Sequence, residues 1–308
     1  LRDAKSALQW DKRAQHALEL HEAGYTGEGS KIAIIDSGVD PDHPDLEPNI
    51  NEAESGNLTE SDGDYSDTLG HGTHVAGIAA AADNGDGVVG VVPGAEIVAL
   101  RVSETNAGIT FGNVVAGVYR AASLGCDALN LSLTFYPLPS GLDVQVMRES
   151  IDRAVQFSHD AGCLTVVAAG NADANLDNDG PTLSLPLEAA GTVRVSATGP
   201  SGFEPESPVS DVALPTHTPS FYTNYGADAL TVSAAGGNIT APFPNNYADL
   251  VYSTVPGGYS WKGGTSMAAP QVTGLAALVK SENPNADPER IKYHIARTAN
   301  HVRSPDYD

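Results

Sequence analysis

The chain has 308 residues, enough for one large α/β domain, and no apolar run reaches the roughly 18 residues of a membrane span. Its 16 basic and 39 acidic residues leave a net charge of −23, which excludes nucleic acid and anionic membrane as partners. The two cysteines exclude a disulfide framework and a thiolate metal cluster.

The first residues, Leu1-Arg2-Asp3, are charged and mixed and carry no signal-peptide pattern. Residues 1–24 are polar, with Ala14, Ala17, Leu18 and Leu20 at helical spacing. They predict an N-terminal arm with a surface helix. After a glycine-rich loop, residues 31–36 form an apolar strand that ends in the carboxylate of Asp36. His71 opens a helix of small residues over 71–82. Further strands are predicted at 95–102, 127–133, 163–168, 192–197 and 229–234. They alternate with helices at 111–124, 143–161, 265–281 and 287–299. The last helix has a clear start: Asp287 as N-cap and Pro288 at the first position. Residues 173–188 and 199–228 are rich in Asp, Pro, Gly and Ser and read as surface loops. The alternation predicts a mainly parallel sheet with helices on both faces, and no repeat or linker divides 1–308, so a single domain is expected.

In Gly263-Gly264-Thr265-Ser266-Met267-Ala268-Ala269-Pro270, two glycines deliver a serine to the first turn of a buried helix. A serine there can attack a carbonyl if a base takes its proton. It can equally be a plain N-cap. Asp36 and His71 alone admit equally plain readings, as a turn carboxylate and a polar residue at a helix start. Together, Asp36, His71 and Ser266 are the parts of a Ser-His-Asp triad.

Four blocks, DSGVD at Asp36, HGTHVAG at His71, Ala168-Ala169-Gly170-Asn171 and GTSMAAP at Ser266, resemble the subtilase (subtilisin-like serine protease) family over roughly residues 25–300. The resemblance implies a three-layer subtilisin-like α/β fold and a serine endopeptidase acting on proteins and peptides through an acyl-enzyme. It implies Ser266 as nucleophile, His71 as base, Asp36 as the group orienting the base, and Asn171 as an oxyanion donor. His74, one helical turn after His71, is structural by the same analogy. Extended substrate would lie along Asn106, Ala107 and Gly108 and along Ser132, Leu133 and Thr134. Ala168, Ala169 and Gly170 would form the opposite wall, with little bulk and room for a large side chain. Thr134 stands where the family usually has glycine.

The resemblance also implies a structural calcium ion, held by Asp45, Asn84 and the carbonyls of Ala82, Asp86 and Val88. The closely spaced acids of Asp62–Asp67 read either as a second cation loop or as a solvated acidic loop. A secreted, monomeric mature enzyme follows, parted from its own signal and pro-segment. Cys126 and Cys163 each precede a strand, and if those strands are neighbours the thiols form either one bridge or a buried pair. The acid excess and the six lysines resemble proteins of high-salt organisms, suggesting a halophilic, halolysin-like member; ordinary solubility is the alternative. An α/β-hydrolase is disfavoured, because it wants G-x-S-x-G and the order Ser, acid, His. A peptide ligase or macrocyclase of the same fold, or a non-catalytic binding module, stay as alternative readings.

Overall fold

The computed structural model describes residues 5–104, 108–200, 218–238 and 247–300. The chain begins with helices α1 (Trp10–Ala14) and α2 (Ala17–Glu22), strands β1 (Lys31–Asp36) and β2 (Gly56–Asn57), helix α3 (Gly72–Ala80) and strand β3 (Glu96–Arg101). Next come α4 (Phe111–Ser123), β4 (Ala128–Leu131), β5 (Phe135–Pro139), α5 (Leu142–Asp160), β6 (Leu164–Ala168), β7 (Thr182–Leu185) and β8 (Val193–Gly199). The last part holds β9 (Thr218–Pro219), β10 (Val232–Ala235), β11 (Val251–Val255), β12 (Gly258–Lys262), α6 (Thr265–Glu282) and α7 (Pro288–Thr298).

The main sheet runs in the order β10-β8-β6-β4-β1-β3-β2 with every pair parallel, and β9 is added antiparallel to β8. Strand β1 is apolar on both faces because both faces are covered. Ile32 and Ile34 pack in a core with Val75, Ile78 and Met267 of α3 and α6. Ala33 and Ile35 pack in a second core with Val114, Val118 and Ile151 of α4 and α5. A third core lies under α6 and α7, between Val166, Val193 and Val195 on one side and Ala268, Ala269 and Ile291 on the other. The result is a three-layer α/β fold with a mainly parallel sheet, as the alternation predicts.

Strands β2, β5, β9, β11 and β12 are additions to the elements the sequence predicts, and two predicted stretches differ from their reading. The N-terminal arm is not a surface helix alone. Trp10, Asp11 and Lys12 are buried, and only α2 faces solvent. Trp10 Nε1 donates to the Leu250 carbonyl at 2.8 Å, and Lys12 Nζ donates to Asp11 at 2.7 Å and to Gln271 Oε1 at 2.9 Å. Burial pulls the Lys12 pKa down, and the Asp11 carboxylate beside it opposes that shift. Leu250 and Gln271 lie about 240 to 260 residues away from the arm, out of reach of any local pattern. The stretch 173–188 also contains β7, which pairs antiparallel with β5 and buries Ser184 and Leu185.

Candidate active site

The key residues lie at the carboxyl ends of the parallel strands and at the helix starts that face them, the usual place for a site in such a sheet. Asp36 is the last residue of β1 and is buried. Helix α3 approaches β1 so closely that a Cβ at Gly72 would collide with the Gly38 carbonyl oxygen. That approach brings His71 Nδ1 to 2.7 Å from Asp36 Oδ1. Ser37 N–H donates to the same oxygen at 2.7 Å. Burial pulls the His71 pKa down, but the Asp36 charge and hydrogen bond together reverse this, so it ends above the usual 6.5.

Ser266 stands in the first turn of α6. Pro270 has no N–H to give the carbonyl four residues back, which is that of Ser266. Ser132 Oγ takes its place, donating to that carbonyl at 2.7 Å. A buried chain holds Ser132 in turn: Asn130 Nδ2 donates to Ser132 Oγ at 2.8 Å, and Thr273 Oγ1 donates to Asn130 Oδ1 at 3.0 Å. The Ser266 hydroxyl itself donates to the Ser132 carbonyl at 3.1 Å.

Asn171 follows β6 in a tight loop. Its Oδ1 accepts from Thr265 N–H at 2.9 Å and Thr265 Oγ1 at 3.0 Å, which leaves the amide nitrogen to face the cavity. An ideal Cβ at Gly264 would sit 3.6 Å from Asn171 Nδ2 and 3.7 Å from Ser266 N, so glycine keeps the space between these donors open. The backbone there has φ +154°, which glycine tolerates best. Asp36, His71, Ser266 and Asn171 all line one cavity of about 430 Å³, with Ser132, Leu133, Thr134, Ala168 and Gly170.

The subtilase family model matches residues 27–307. The chain belongs to the subtilase family. With it, this subtilase belongs to the serine endopeptidases, a class of hydrolases. Subtilisin Savinase of Lederbergia lenta is 33% identical over 299 residues, covering 97% of this chain and 93% of that protein. M-protease of Shouchella clausii is 33% identical over 294 residues; the match spans 95% of this chain but 65% of M-protease. Among solved structures, a protease from Pseudoalteromonas arctica superposes with TM-score 0.78 at 26% identity, over 98% of this chain and 93% of that one. The nisin leader peptidase NisP from Lactococcus lactis gives TM-score 0.82 at 24% identity, over 98% and 91%, a likeness of fold alone.

Not every residue expected at the subtilase site is found there. Asn106 and Ala107 lie outside the described residues, and Gly108 is exposed and outside the cavity lining. Ala169 is fully buried in the α4–α5 core rather than on the cavity wall. His74 is fully buried, with Nε2 3.1 Å from the Ser260 carbonyl. Burial pushes its pKa down to about 3, so it stays neutral and apart from the site. Cys126 and Cys163 are free and buried, not bridged, and burial pushes both thiols up, Cys163 to about 12.

Two residues that support the site have no functional signature in the sequence. Asp67 stands in a run of acids that reads as a loop, and Asp62 and Asp64 are indeed exposed. Asp67 itself is buried and accepts from Ser37 Oγ and from the N–H groups of Leu69, Gly70 and Thr73, and from Thr73 Oγ1. It therefore clamps the residue after Asp36 to the start of the His71 helix. Asn224 is fully buried, although 199–228 reads as a surface loop. Its Oδ1 accepts from Ala172 and Ala174 N–H, and its Nδ2 donates to the Ala169 carbonyl, which fixes the loop around Asn171. The spacing of Asp67 four residues before His71 was the one available signal for it; Asn224 had none.

The Asp45 loop lies apart from the cavity. Asp45 is fully buried; its carboxylate accepts from Val88 N–H at 2.8 Å and from Asn84 Nδ2 at 3.4 Å. Among the described residues no basic side chain comes within 4 Å of that carboxylate, and no three His, Cys, Asp or Glu side chains gather into a metal cluster.

Proposed function

We propose that this subtilase hydrolyses peptide bonds of extended protein substrates with Ser266 as nucleophile, His71 as general base and Asp36 as the group that orients it. The reading is carried by the short Asp36–His71 pair opening on the same cavity as Ser266 and Asn171. Ser266 Oγ turns from the Ser132 carbonyl toward His71 Nε2 and attacks the scissile carbonyl, and His71 takes the proton. Asp36 holds Nδ1–H and stabilises the imidazolium. The negative oxygen that forms is met by Ser266 N–H and Asn171 Nδ2. His71 then gives its proton to the leaving amine, and water, activated by the same imidazole, releases the acyl group. The test is a serine-directed fluorophosphonate together with Ser266→Ala. One label per chain, at Ser266, is expected, and the variant takes none and loses several orders of magnitude in turnover. Labelling at another serine overturns the assignment. Because the His71 pKa is raised, the acid limb of kcat/KM lies above pH 6.5.

We also infer that the Asp45 loop holds calcium through Asp45, Asn84 and the carbonyls of Ala82, Asp86 and Val88. The set is all oxygen, as calcium prefers. A buried carboxylate met by neutral donors alone favours a cation nearby. Bound calcium would tie the loop after α3 to the segment after β1. The charge of −23 supports a protein adapted to high salt. A secreted, monomeric enzyme whose 1–308 form one peptidase domain, made with a pro-segment, completes the reading by family analogy. No helix among the described residues is long and apolar enough to cross a membrane.

A further inference from the structure

Thr134 and Ala168 both line the cavity that holds Ser266 and Asn171. Strands β4 and β6 pair in parallel as far as Leu131 and Val167, and past that pair their continuations form opposite walls of the cavity. The Ala168 carbonyl has run out of ladder partners on the β4 side. The Thr134 hydroxyl supplies one, donating to it at 2.7 Å. This is a full-strength O–H···O bond. It joins the two walls beside the point where Ser266 and Asn171 fix the scissile carbonyl.

We propose that the Thr134–Ala168 bridge is a specificity gate that restricts the residue on the acyl side of the scissile bond to small side chains. The inference rests on the Ser266 reading above and names the substrate class of that site. With the carbonyl held between Ser266 N–H and Asn171, the acyl-side side chain enters the cavity between Ser132, Leu133 and Thr134 on one side and Ala168, Gly170 and Asn171 on the other. A hydrogen, methyl or hydroxymethyl group fits in front of the bridge. A phenyl or isobutyl group must part it, which strips the Ala168 carbonyl of its partner and forces Thr134 from its rotamer. A β-branched residue has few alternatives. The small side chains at 168–170 therefore do not give room for a large group, contrary to what their size suggests.

The experiment uses N-acyl tetrapeptide p-nitroanilides that differ only in Gly, Ala, Leu or Phe before the anilide. Rates are expressed per site labelled by a fluorophosphonate, so that each variant is counted only where it is folded. The parent should favour Ala over Phe in kcat/KM by about tenfold or more, the scale on which a pocket discriminates side chains. Thr134→Gly should raise the Phe/Ala ratio about tenfold. Thr134→Val keeps the bulk and removes the hydroxyl, and should raise the ratio as well. A parent that cleaves Phe as well as Ala overturns the gate. So does a ratio unmoved in Thr134→Gly, or one moved in Thr134→Gly but not in Thr134→Val. A chain that takes the label yet cleaves none of the four peptides would overturn the endopeptidase reading itself, a result distinct from these.

Discussion

Asp67→Asn is a demanding test of how the subtilase site is held. Oδ1 of Asp67 accepts from Ser37 Oγ at 2.9 Å, Leu69 N–H at 2.8 Å and Gly70 N–H at 2.9 Å. Oδ2 accepts from Thr73 N–H at 2.9 Å and Thr73 Oγ1 at 2.6 Å. An amide keeps one oxygen, so in either orientation its NH2 faces a backbone N–H. With the oxygen at the Oδ1 position, Thr73 N–H is left unpaired, and the Thr73 hydroxyl loses its acceptor and can only accept from the new amide. One buried orphan donor costs about 1–3 kcal/mol. Loss of a carboxylate at the start of α3 adds about 0.5–1 kcal/mol. The sum, about 1.5–4 kcal/mol, lowers the melting temperature of a chain this size by about 2–6 °C. The Asp67 charge also raises the His71 pKa, so its removal should shift the acid limb of kcat/KM to lower pH. Melting is followed on sulfonyl-fluoride-inactivated protein to prevent autolysis, and rates are followed on a peptide anilide across the acid limb. A variant that melts within about 1 °C of the parent, with an unmoved acid limb, would refute this account of Asp67.

Three more outcomes are expected. Chelation at fixed ionic strength should lower the melting temperature, by the equivalent of about 2.7 kcal/mol relative to calcium at 100 times its Kd, and Asp45→Ala should abolish the response; an unchanged curve after verified metal removal counts against the site. Alkylation of the denatured, unreduced protein should label both Cys126 and Cys163, whereas a bridge would leave both unlabelled. With calcium saturating, the melting temperature should rise from about 0.1 M to molar chloride as the screening length falls from about 10 Å to about 3 Å; a flat or falling trend would refute adaptation to high salt.

Sequence alone was enough for the parallel framework. Apolar runs of six to eight residues alternate with helical stretches, and such runs fold one way when both faces must be buried. The expected strand 31–36 matches β1 residue for residue, and the expected helix 265–281 differs from α6 by one residue. Asp36, His71, Asn171 and Ser266 were legible because each stands at the edge of such an element, inside a distinctive block. Other features were decided only in three dimensions, because their partners are distant in the chain. Trp10 and Lys12 look like an exposed arm until Leu250 and Gln271 close over them. Asn224 looks like a loop residue until it meets Ala169, Ala172 and Ala174. Asp67 looks like one more surface acid until five donors converge on it. Thr134 looks like a bare departure from glycine until its hydroxyl meets the Ala168 carbonyl, 34 residues away. Local periodicity records which face of an element is buried. It carries no record of which polar group, tens or hundreds of residues away, will satisfy a buried donor or acceptor, and at this site those pairings set the geometry.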